Sequence, residues 1–480
     1  MAVASAEVKK TLNASMKKII WEIVAIVLGL AVAMINPPEG LTVQAMWTIG
    51  ILVWAIINWI AQPIPDFVAA LFMLGLFVVL KIIPFTAAFG SFASSTWWLL
   101  VGALGIGVGV SKSGLLGRVS LMAMKLFPPT YKGQVMALLG AGTIVSPMIP
   151  STTAKMSIAA PVAMGIGDAL GLQKKSPGLT GLFCATYVGF NLISPLFLSA
   201  SFLTYIVVGL LPTETQAQFT WTYWFLCMIP WGVVLLVGSY FAITKILYKV
   251  DNQSSIPKDY IQNQLQALGP MKKQEKITAI ILVIAIAFWI TERMHGIPAV
   301  IPALVGMGLL LSFNILSRPD IHTQIPWSLL IFIGSVMSLG SILNTMEIST
   351  WLGTTIGPHM SQFLANPYLF ITLLTVVMLV ARFVLVDLIS AFTIFIVVLA
   401  PLAIAAGISP FVVAITSYVN VFTWYVTYNN ATFLTLYAAS GGDQNIEFKK
   451  TIKMSFAYSA LCLIGLLVSV PLWQFMGLIQ

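Results

Sequence analysis

The sequence predicts an all-α polytopic membrane protein. Of its 480 residues, 59% are hydrophobic and 8% are charged, whereas a soluble protein of this size carries roughly 25% charged residues. Apolar blocks recur from end to end, and many approach the ~17–25 residues that cross a hydrocarbon core of ~30 Å. The predicted spans, or their cores, are Ile19–Ile35, Ala45–Ala61, Phe67–Ile83, Trp97–Val110, Trp221–Ile243, Ile277–Trp289, Ala299–Phe313, Ser328–Leu343, Pro367–Val380 and Ser455–Met476.

Basic residues cluster in two places and predict the orientation of the chain. Loops rich in lysine and arginine stay in the cytoplasm, so we expect a cytoplasmic N-terminus and central linker in an inner (cytoplasmic) membrane. Because lysines precede a full-length first span, no cleavable signal is predicted. Much of the net charge of +9 lies in loops, so no nucleic-acid partner is expected. The clusters are Lys9, Lys10, Lys17 and Lys18 before the first span, and Lys245, Lys249, Lys258, Lys272, Lys273 and Lys276 in the linker.

The three cysteines lie in or beside apolar segments, at Cys184, Cys227 and Cys462. This placement predicts buried packing residues rather than a disulfide framework or a metal site. The three histidines sit beside loop residues and are predicted to lie at the surface. We therefore expect no metal and no cofactor.

The polar linker Tyr248–Lys276 divides the chain into two halves that resemble each other. A transporter can contain inverted or parallel repeats, and a repeat with an odd number of spans is inverted. With both the N-terminus and the linker cytoplasmic, the first half crosses the membrane an even number of times. An inverted pair of repeats therefore needs one span outside the repeat, and Ile19–Ile35 is the candidate. The matching segments, in chain order, are Trp97–Gly102 with Trp327–Phe332 (offset 230), Ser151–Ala163 with Ala391–Ala403 (offset 240) and Asn191–Ser201 with Trp424–Leu434 (offset 233).

Each half also contains an apolar segment that is interrupted. Gln134–Ile149 is short for a span, is cut by Pro147 and is followed by Pro150. A re-entrant hairpin that turns at Ser146–Thr153 fits this pattern, and its counterpart is Tyr368–Gly407, turning near Arg382–Thr393. Upstream of the first hairpin, Trp97–Val110 and Gly114–Phe127 predict a span followed by an interfacial amphipathic helix, with Lys112, Arg118 and Lys125 at the cytoplasmic surface.

These elements predict a division into scaffold and transport parts. The predicted parts are 1–128 (scaffold, first repeat), 129–215 (transport, first repeat), 216–244 (connecting helix), 245–276 (cytoplasmic linker), 277–364 (scaffold, second repeat) and 365–480 (transport, second repeat, with the C-terminal helix).

The hairpin turns and two further helix breaks are predicted to form a central anion site. Backbone at membrane depth is tolerated where it lines a cavity or is buried in protein, and helix N-termini attract carboxylates. This arrangement predicts one central site that binds two substrate carboxylates, with each repeat binding one of them. Its predicted residues are Ser151, Thr152 and Thr153 at the first turn, Asn191, Ser194 and Pro195 at the first break, and Thr427, Asn429 and Asn430 at the second break.

On these residues the chain resembles the divalent anion:sodium symporter (DASS) family, which has a Ser-Asn-Thr motif at each hairpin tip and a proline-containing break after it. Ser151-Thr152-Thr153 before Pro161 resembles the first motif, and Ala391-Phe392-Thr393 before Pro401 occupies the second. The resemblance implies a homodimer in membrane lipid, with eleven spanning helices and two re-entrant hairpins per protomer. It also implies elevator motion of the transport part and di- or tricarboxylate substrates such as malate, succinate, fumarate, 2-oxoglutarate and citrate.

The departures from the motif suggest a coupling mechanism. Both motif asparagines are replaced, by Thr152 and Phe392, and two cations, Lys155 and Arg382, lie near the turns. A charge at membrane depth is unfavourable by ~2.5–3.5 kcal/mol or more, so it usually has a function. We hypothesise that Lys155, alone or together with Arg382, replaces the sodium ion. The resemblance is then to the exchanger branch of the family, which includes 2-oxoglutarate/malate and citrate/succinate antiporters.

Several alternatives stay open on sequence alone. Lys155 could snorkel to an interface, and Arg382 could form a structural ion pair with Asp387. Trp97-Trp98 and Trp221–Trp224 are interpreted as interfacial aromatics rather than ligands. Within the carrier class, the alternative is a sodium-coupled dicarboxylate symporter. A channel is disfavoured because rings of polar residues are missing, and an enzyme because no catalytic motif is present.

Overall fold

The computed structural model describes residues 2–250, 255–257, 259–364, 366–427 and 429–479. It is almost entirely helical, as the sequence predicts. Within these ranges, extended pairing is limited to two isolated bridges, Thr130 with Ser255 and Ile408 with Ile479. The predicted all-α fold class is therefore confirmed.

The helices before the linker form the first half of the chain. They are α1 (Ala2–Ala33), α2 (Val43–Ala61), α3 (Asp66–Val79), α4 (Phe85–Ala88), α5 (Ser95–Ser113), α6 (Leu115–Met124), α7 (Tyr131–Val145), α8 (Thr152–Ala169), α9 (Pro177–Tyr187), α10 (Phe202–Gly209), α11 (Thr213–Gln218) and α12 (Trp221–Phe241).

The linker and the second half contain the remaining α-helices. They are α13 (Tyr260–Ala267), α14 (Lys273–Ile290), α15 (Glu292–His295), α16 (Val300–Ser312), α17 (Arg318–Gln324), α18 (Trp327–Met337), α19 (Leu339–Thr345), α20 (Ile348–Leu364), α21 (Pro367–Ala381), α22 (Leu388–Ala405), α23 (Pro410–Asn420), α24 (Ala431–Ala439) and α25 (Phe448–Phe475). Short 3₁₀ and π turns occupy Gly90–Ala93, Ser146–Met148, Val188–Leu192, Ser194–Leu196, Leu198–Ala200, Ala242–Leu247 and Gly442–Gln444.

Helices long and apolar enough to cross a membrane occur in both halves. Six of the described helices meet this requirement, and α5 with α6, bent by 74° at Gly114, would make a seventh. The protein is thus a multi-pass membrane protein. The six segments, three of which continue from an α-helix into an adjoining turn or helix, are Val43–Ala61, Pro177–Leu196, Trp221–Leu247, Trp327–Thr345, Leu388–Ala405 and Phe448–Phe475.

Glycines on α5 allow close packing on two sides. A Cβ atom at Gly102 would lie 2.8 Å from the carbonyl carbon of Ala303, so α5 and α16 approach with their backbones nearly in contact. A Cβ atom at Gly107 would lie 2.8 Å from Cδ of Pro150 in the first predicted turn. These close approaches place α5 directly against that turn.

Two helix–break–helix segments match in length. In the first, 15-residue α7 and 18-residue α8 flank the break at 146–151. In the second, 15-residue α21 and 18-residue α22 flank the break at 382–387. Both helices of the second segment start 236 residues after their counterparts. The breaks fall where the sequence predicts the two hairpin turns.

This spacing corrects the predicted alignment of the two turns. Ser151 is the N-cap residue of α8, and Asp387, 236 residues later, is the N-cap residue of α22. The predicted partner of Ser151, Ala391, lies one helical turn further inside α22. The sequence offset of 240 is therefore wrong by one turn, because the proline spacing that suggested it is not the spacing of the helix starts.

Arg118 also differs from its prediction. Instead of marking the surface, it is buried, and its Nε lies 3.1 Å from Oε1 of Glu275. Its Nη1 donates to the carbonyl of Gly269 at 3.0 Å. Burial on its own raises the pKa of Glu275, but hydrogen bonds from Arg118 and from the Lys272 backbone outweigh it and lower that pKa. Arg118 therefore holds the end of the linker against α6.

Candidate functional site

The first turn is built around the start of α8. The hydroxyl of Ser151 accepts a hydrogen bond from the backbone N–H of Ala154 at 3.3 Å, which caps the helix. The hydroxyl of the next residue, Thr152, is buried and has no hydrogen-bond partner within the part of the chain that the structure describes. The carbonyl of Thr153 accepts from Ser157. The predicted turn residues thus combine one structural cap with one unsatisfied buried hydroxyl.

The first break separates α9 from α10. The chain leaves α9 at Tyr187 and passes through a π turn and two 3₁₀ turns, the first of which contains Ser194 and Pro195, before α10 begins at Phe202. All residues from Gly178 to Ser201 are buried. The predicted break is therefore present, and it is enclosed by protein.

Two tryptophans from α12 hold this break. The indole N–H of Trp224 donates to the carbonyl of Pro195 at 2.9 Å, and that of Trp221 donates to the hydroxyl of Ser199 at 3.0 Å. Ser199 in turn donates to the carbonyl of Pro147 in the first turn at 2.8 Å. Both indoles are buried, so their interpretation as interfacial aromatics is wrong.

Lys155 connects the first turn to the first break. Its Nζ donates to Oγ of Ser194 and to the carbonyl of Ala200, each at 2.8 Å, and lies 3.5 Å from Oγ of Ser146. The side chain is fully buried, so it does not snorkel in this structure. Among the described residues, the three ion pairs are Lys112–Asp320, Arg118–Glu275 and Lys450–Glu447, so the Lys155 ammonium has hydrogen-bond acceptors but no carboxylate.

Arg382 connects the second turn to the second break. Its guanidinium donates to the carbonyls of Leu385 and Val386 in its own turn, the latter at 2.8 Å, and to the carbonyl of Asn429. Asp387 accepts from the backbone N–H of Ser390 at 2.6 Å and makes no ion pair with Arg382. The proposed Arg382–Asp387 ion pair is therefore not formed, although the two charges are close enough to interact electrostatically.

The second break is organised by Asn430. Its Nδ2 donates to the carbonyl of Phe422 at 2.6 Å, and its Oδ1 accepts from the backbone N–H of Phe433 at 2.9 Å, which caps α24. Both polar atoms of the neighbouring Asn429 side chain are buried, and neither has a hydrogen-bond partner among the described residues. Thr427 is exposed, and Tyr428 lies outside the described residues.

Two residues that the sequence analysis did not single out join the two breaks. The hydroxyl of Tyr187 lies 3.2 Å from Oδ1 of Asn430 and 3.0 Å from Oγ1 of Thr432. Thr432 also accepts from Nδ2 of Asn191 at 3.1 Å. The structure thus brings Asn191 and Asn430 into one polar cluster. A tyrosine and a threonine within apolar helices were the available sequence signal.

The second turn contributes fewer polar contacts. Ala391 and Phe392 are fully buried, and the Phe392 ring packs against Tyr418 with centroids 5.8 Å apart. The hydroxyls of Ser390 and Thr393 are buried, and no described residue forms a hydrogen bond with them. Phe392 therefore makes a packing contact at the position predicted to hold the second motif asparagine.

A cavity of about 550 Å³ opens beside the first turn. Ser151, Thr153 and Ala154 line it, whereas Lys155, the residue after Ala154, does not. Its other walls come from α5, α10, α17 and the start of α18, through Leu104, Gly107, Val108, Ser111, Lys112, Phe202, Asp320, Gln324, Pro326 and Leu329.

Comparisons with known proteins agree with this architecture. The model of the family described as "Sodium:sulfate symporter transmembrane region" matches residues 16–478. The chain is 25% identical over 413 residues to the L-tartrate/succinate antiporter of Shigella dysenteriae serotype 1 (strain Sd197), covering 79% of this chain and 81% of that protein. It is 26% identical over 342 residues to the chloroplastic dicarboxylate transporter 1 of Arabidopsis thaliana, covering 69% of this chain and 61% of that protein.

Among solved structures, the YdaH transporter of Alcanivorax borkumensis has a similar fold. It aligns with a TM-score of 0.56 at 15% identity, over 82% of this chain and 88% of that chain. At this identity the likeness concerns the fold alone. Because the family model extends over nearly the whole sequence, the protein is a membrane transporter, not an enzyme, and belongs to the sodium:sulfate symporter family, the divalent anion:sodium symporters.

Proposed function

We propose that the protein is a secondary active transporter that exchanges dicarboxylates or tricarboxylates across the membrane without sodium. Relatives named as an L-tartrate/succinate antiporter and as a dicarboxylate transporter support the substrate class and the exchange mode. The substrates are 2-oxoglutarate, malate, succinate, fumarate or citrate. The transporter works as a homodimer in the inner membrane, with its N-terminus in the cytoplasm.

The observation that carries this proposal is the buried ammonium of Lys155. A buried charge without a counter-charge is unfavourable even when its hydrogen bonds are made. Ser194 and the carbonyl of Ala200 supply acceptors to Lys155 but no negative charge. A carboxylate reaching this region would neutralise the ammonium, so the loaded carrier crosses the membrane more easily than the empty one. Obligatory exchange follows from that difference.

Arg382 provides a second cation in the corresponding segment of the other half. It is buried and donates to backbone carbonyls rather than to an acid. Together, Lys155 and Arg382 supply two positive charges, which match the two negative charges of a dicarboxylate.

Hydrogen bonds between the two breaks support the movement of one transport unit. Tyr187 and Asn191 belong to the first predicted transport part, and Asn430 and Thr432 belong to the second. These contacts tie segments 129–215 and 365–480 together. We propose that they move as one body past the scaffold in an elevator mechanism.

A sodium-coupled dicarboxylate symporter is the second candidate. Unpartnered oxygen atoms at Thr152, Thr393 and Asn429 favour it, because such oxygens are potential ligands of a small cation. Exchange is preferred because the amine of Lys155, which can carry a positive charge, already lies beside the first turn.

The test is uptake of labelled succinate or L-malate into proteoliposomes. Vesicles loaded with the unlabelled dicarboxylate are compared with empty ones, with and without a sodium gradient. We expect uptake only into loaded vesicles, indifferent to sodium. Uptake into empty vesicles driven by sodium would instead establish the symporter.

Lys155→Ala and Lys155→Met test the role of the cation in the same assay. Removing the charge should reduce exchange at least about 100-fold, because a charge-assisted contact in a water-excluded site is worth roughly 3 kcal/mol. Lys450→Ala is the matched control, since Lys450 forms an exposed ion pair with Glu447 and donates to the carbonyl of Lys175 rather than to the first turn or break. Normal exchange by Lys155→Met would show that the ammonium is not required.

A further inference from the structure

A lysine side chain, Lys112, lines the cavity beside the first turn. Unlike Lys155, which does not line this cavity, it is not buried. Lys112, in the last turn of α5, lines the cavity together with Ser151 and Thr153. Its side chain is 47% exposed, so it lies at the open edge of the cavity. Lys112 is therefore accessible to an anion that enters the cavity.

In this structure Lys112 forms an ion pair with the carboxylate of Asp320. Its Nζ lies 2.6 Å from Oδ2 of Asp320, whose side chain is 15% exposed. The hydrogen bond from Lys112 is the largest of the interactions that lower the pKa of Asp320 to about 2, so Asp320 is ionised at neutral pH. Asp320 also accepts from the backbone N–H and the hydroxyl of Ser317, which fixes its position at the start of α17.

We propose that Lys112 is the anion-loading residue of the carrier, and that Asp320 holds it in place until a substrate carboxylate replaces Asp320 as the partner of Lys112. The proposal rests on the proposed function and adds the entry point. The substrate class is a small dicarboxylate, which a cavity of about 550 Å³ is large enough to admit. After displacement, the first carboxylate contacts Lys112, while the second is directed towards Ser151 and Thr153.

Geometry supports this exchange of partners over a purely structural pair. Asp320 keeps its contacts to Ser317 when Lys112 leaves, so it does not become an unpartnered carboxylate. Lys112 is partly exposed and is carried on a flexible stem, so it can turn towards the cavity. The pair also joins α5 to α17, and residues of both helices line the cavity.

Opposite effects of the two partners on substrate half-saturation test the proposal. Lys112→Ala should raise the half-saturation concentration for succinate exchange about tenfold with little change in maximal rate, because one charge-assisted contact is lost. Asp320→Asn should lower it roughly threefold, because an exposed ion pair is a weak competitor. A structural ion pair predicts impairment of both variants in the same direction, and that result would overturn the proposal.

Restoring the charge chemically keeps the test independent of folding. Purified Lys112→Cys is treated in detergent, before reconstitution, with a methanethiosulfonate reagent that carries either a quaternary ammonium or a sulfonate. The native cysteines, Cys184, Cys227 and Cys462, are buried, and treated wild-type protein controls for them. We expect the cationic reagent to return half-saturation to near the wild-type value and the anionic reagent to raise it further. Equal effects of the two reagents would contradict the proposal.

Protection from labelling separates this proposal from the proposed function. Succinate should slow the modification of Lys112→Cys in detergent if the anion binds there. Slowed modification in a protein that shows no exchange would refute the exchange mechanism alone. Normal exchange with unchanged half-saturation in Lys112→Ala, and no protection, would refute Lys112 as the loading residue alone.

Discussion

In the first helix–break–helix segment, the buried cation lies inside the helix after the turn, and in the second it lies in the turn itself. Lys155 donates to a hydroxyl and a carbonyl of the neighbouring break, through a single nitrogen atom. Arg382 donates through a planar guanidinium to two carbonyls of its own turn and to the carbonyl of Asn429. Lys155 can therefore exchange its hydrogen-bond partners one by one, whereas Arg382 holds the backbone of the second turn and of Asn429 in place.

The unpartnered polar groups are also distributed unequally. Beside the first turn and break, the hydroxyl of Thr152 and Oδ1 of Asn191 lack partners. Beside the second, both amide atoms of Asn429 and the hydroxyls of Ser390 and Thr393 lack them. If both halves bind one carboxylate each, the second half offers the larger number of free donors, and the first half offers the mobile charge.

The largest expected effect on stability follows from Arg382→Ala. It leaves three backbone carbonyls without their donor, so we expect a loss of about 3 kcal/mol in the free energy of unfolding. Thermal unfolding of the purified protein in detergent measures it. Arg382→Lys keeps the charge but not the planar donor set, and should recover only part of the loss. Wild-type stability in Arg382→Ala would show that the guanidinium does not hold the turn.

A smaller difference is expected between the two neighbouring asparagines of the second break. Asn430→Ala removes a helix cap and the contacts to Phe422 and Tyr187, so it should lower stability by about 2 kcal/mol. Asn429→Ala removes no side-chain hydrogen bond to a described residue, and loss of an unpaired buried amide offsets the lost packing, so stability should stay within about 0.5 kcal/mol. Its half-saturation concentration for succinate should rise about tenfold if the free amide binds substrate.

The same pair of variants can contradict this assignment. If Asn429→Ala destabilises as much as Asn430→Ala, the amide of Asn429 is a structural group. If both are stable and transport normally, neither asparagine is part of the anion site. Thermal unfolding and exchange kinetics, measured on the same preparation, distinguish these outcomes.

Sequence reasoning located both turns and both breaks because prolines and polar residues are conspicuous within apolar helices. Ser151, Ser194 and Asn430 all lie at helix ends or breaks, as predicted. The partners of Lys155 were not predictable, since Ser194 and Ala200 are brought to it only by tertiary packing, 39 and 45 residues further along the chain.

The alignment of the second turn with the first was wrong for a different reason. Asp387 was considered only as an alternative ion-pair partner of Arg382, although aspartate is also a preferred N-cap residue. As the N-cap residue of α22, Asp387 aligns with Ser151, and Ala391 then lies inside α22. Buried Trp224 was likewise missed, because a tryptophan near a helix start resembles an interfacial residue in sequence alone.

The smallest expected effect compares hydroxyls at the two turns. Ser151→Ala removes the cap of α8 and should lower the free energy of unfolding by about 1 kcal/mol, whereas Thr393→Val removes a buried hydroxyl that has no partner and should be neutral or slightly stabilising. Thermal unfolding in detergent measures both, and Ser157→Ala, which changes an exposed hydroxyl of α8, is the control. Destabilisation by Thr393→Val equal to that by Ser151→Ala would mean that Thr393 has a bound partner in the folded protein. The second turn would then hold a ligand or an ordered water molecule at the hydroxyl, and the two turns would be more alike than their protein contacts suggest.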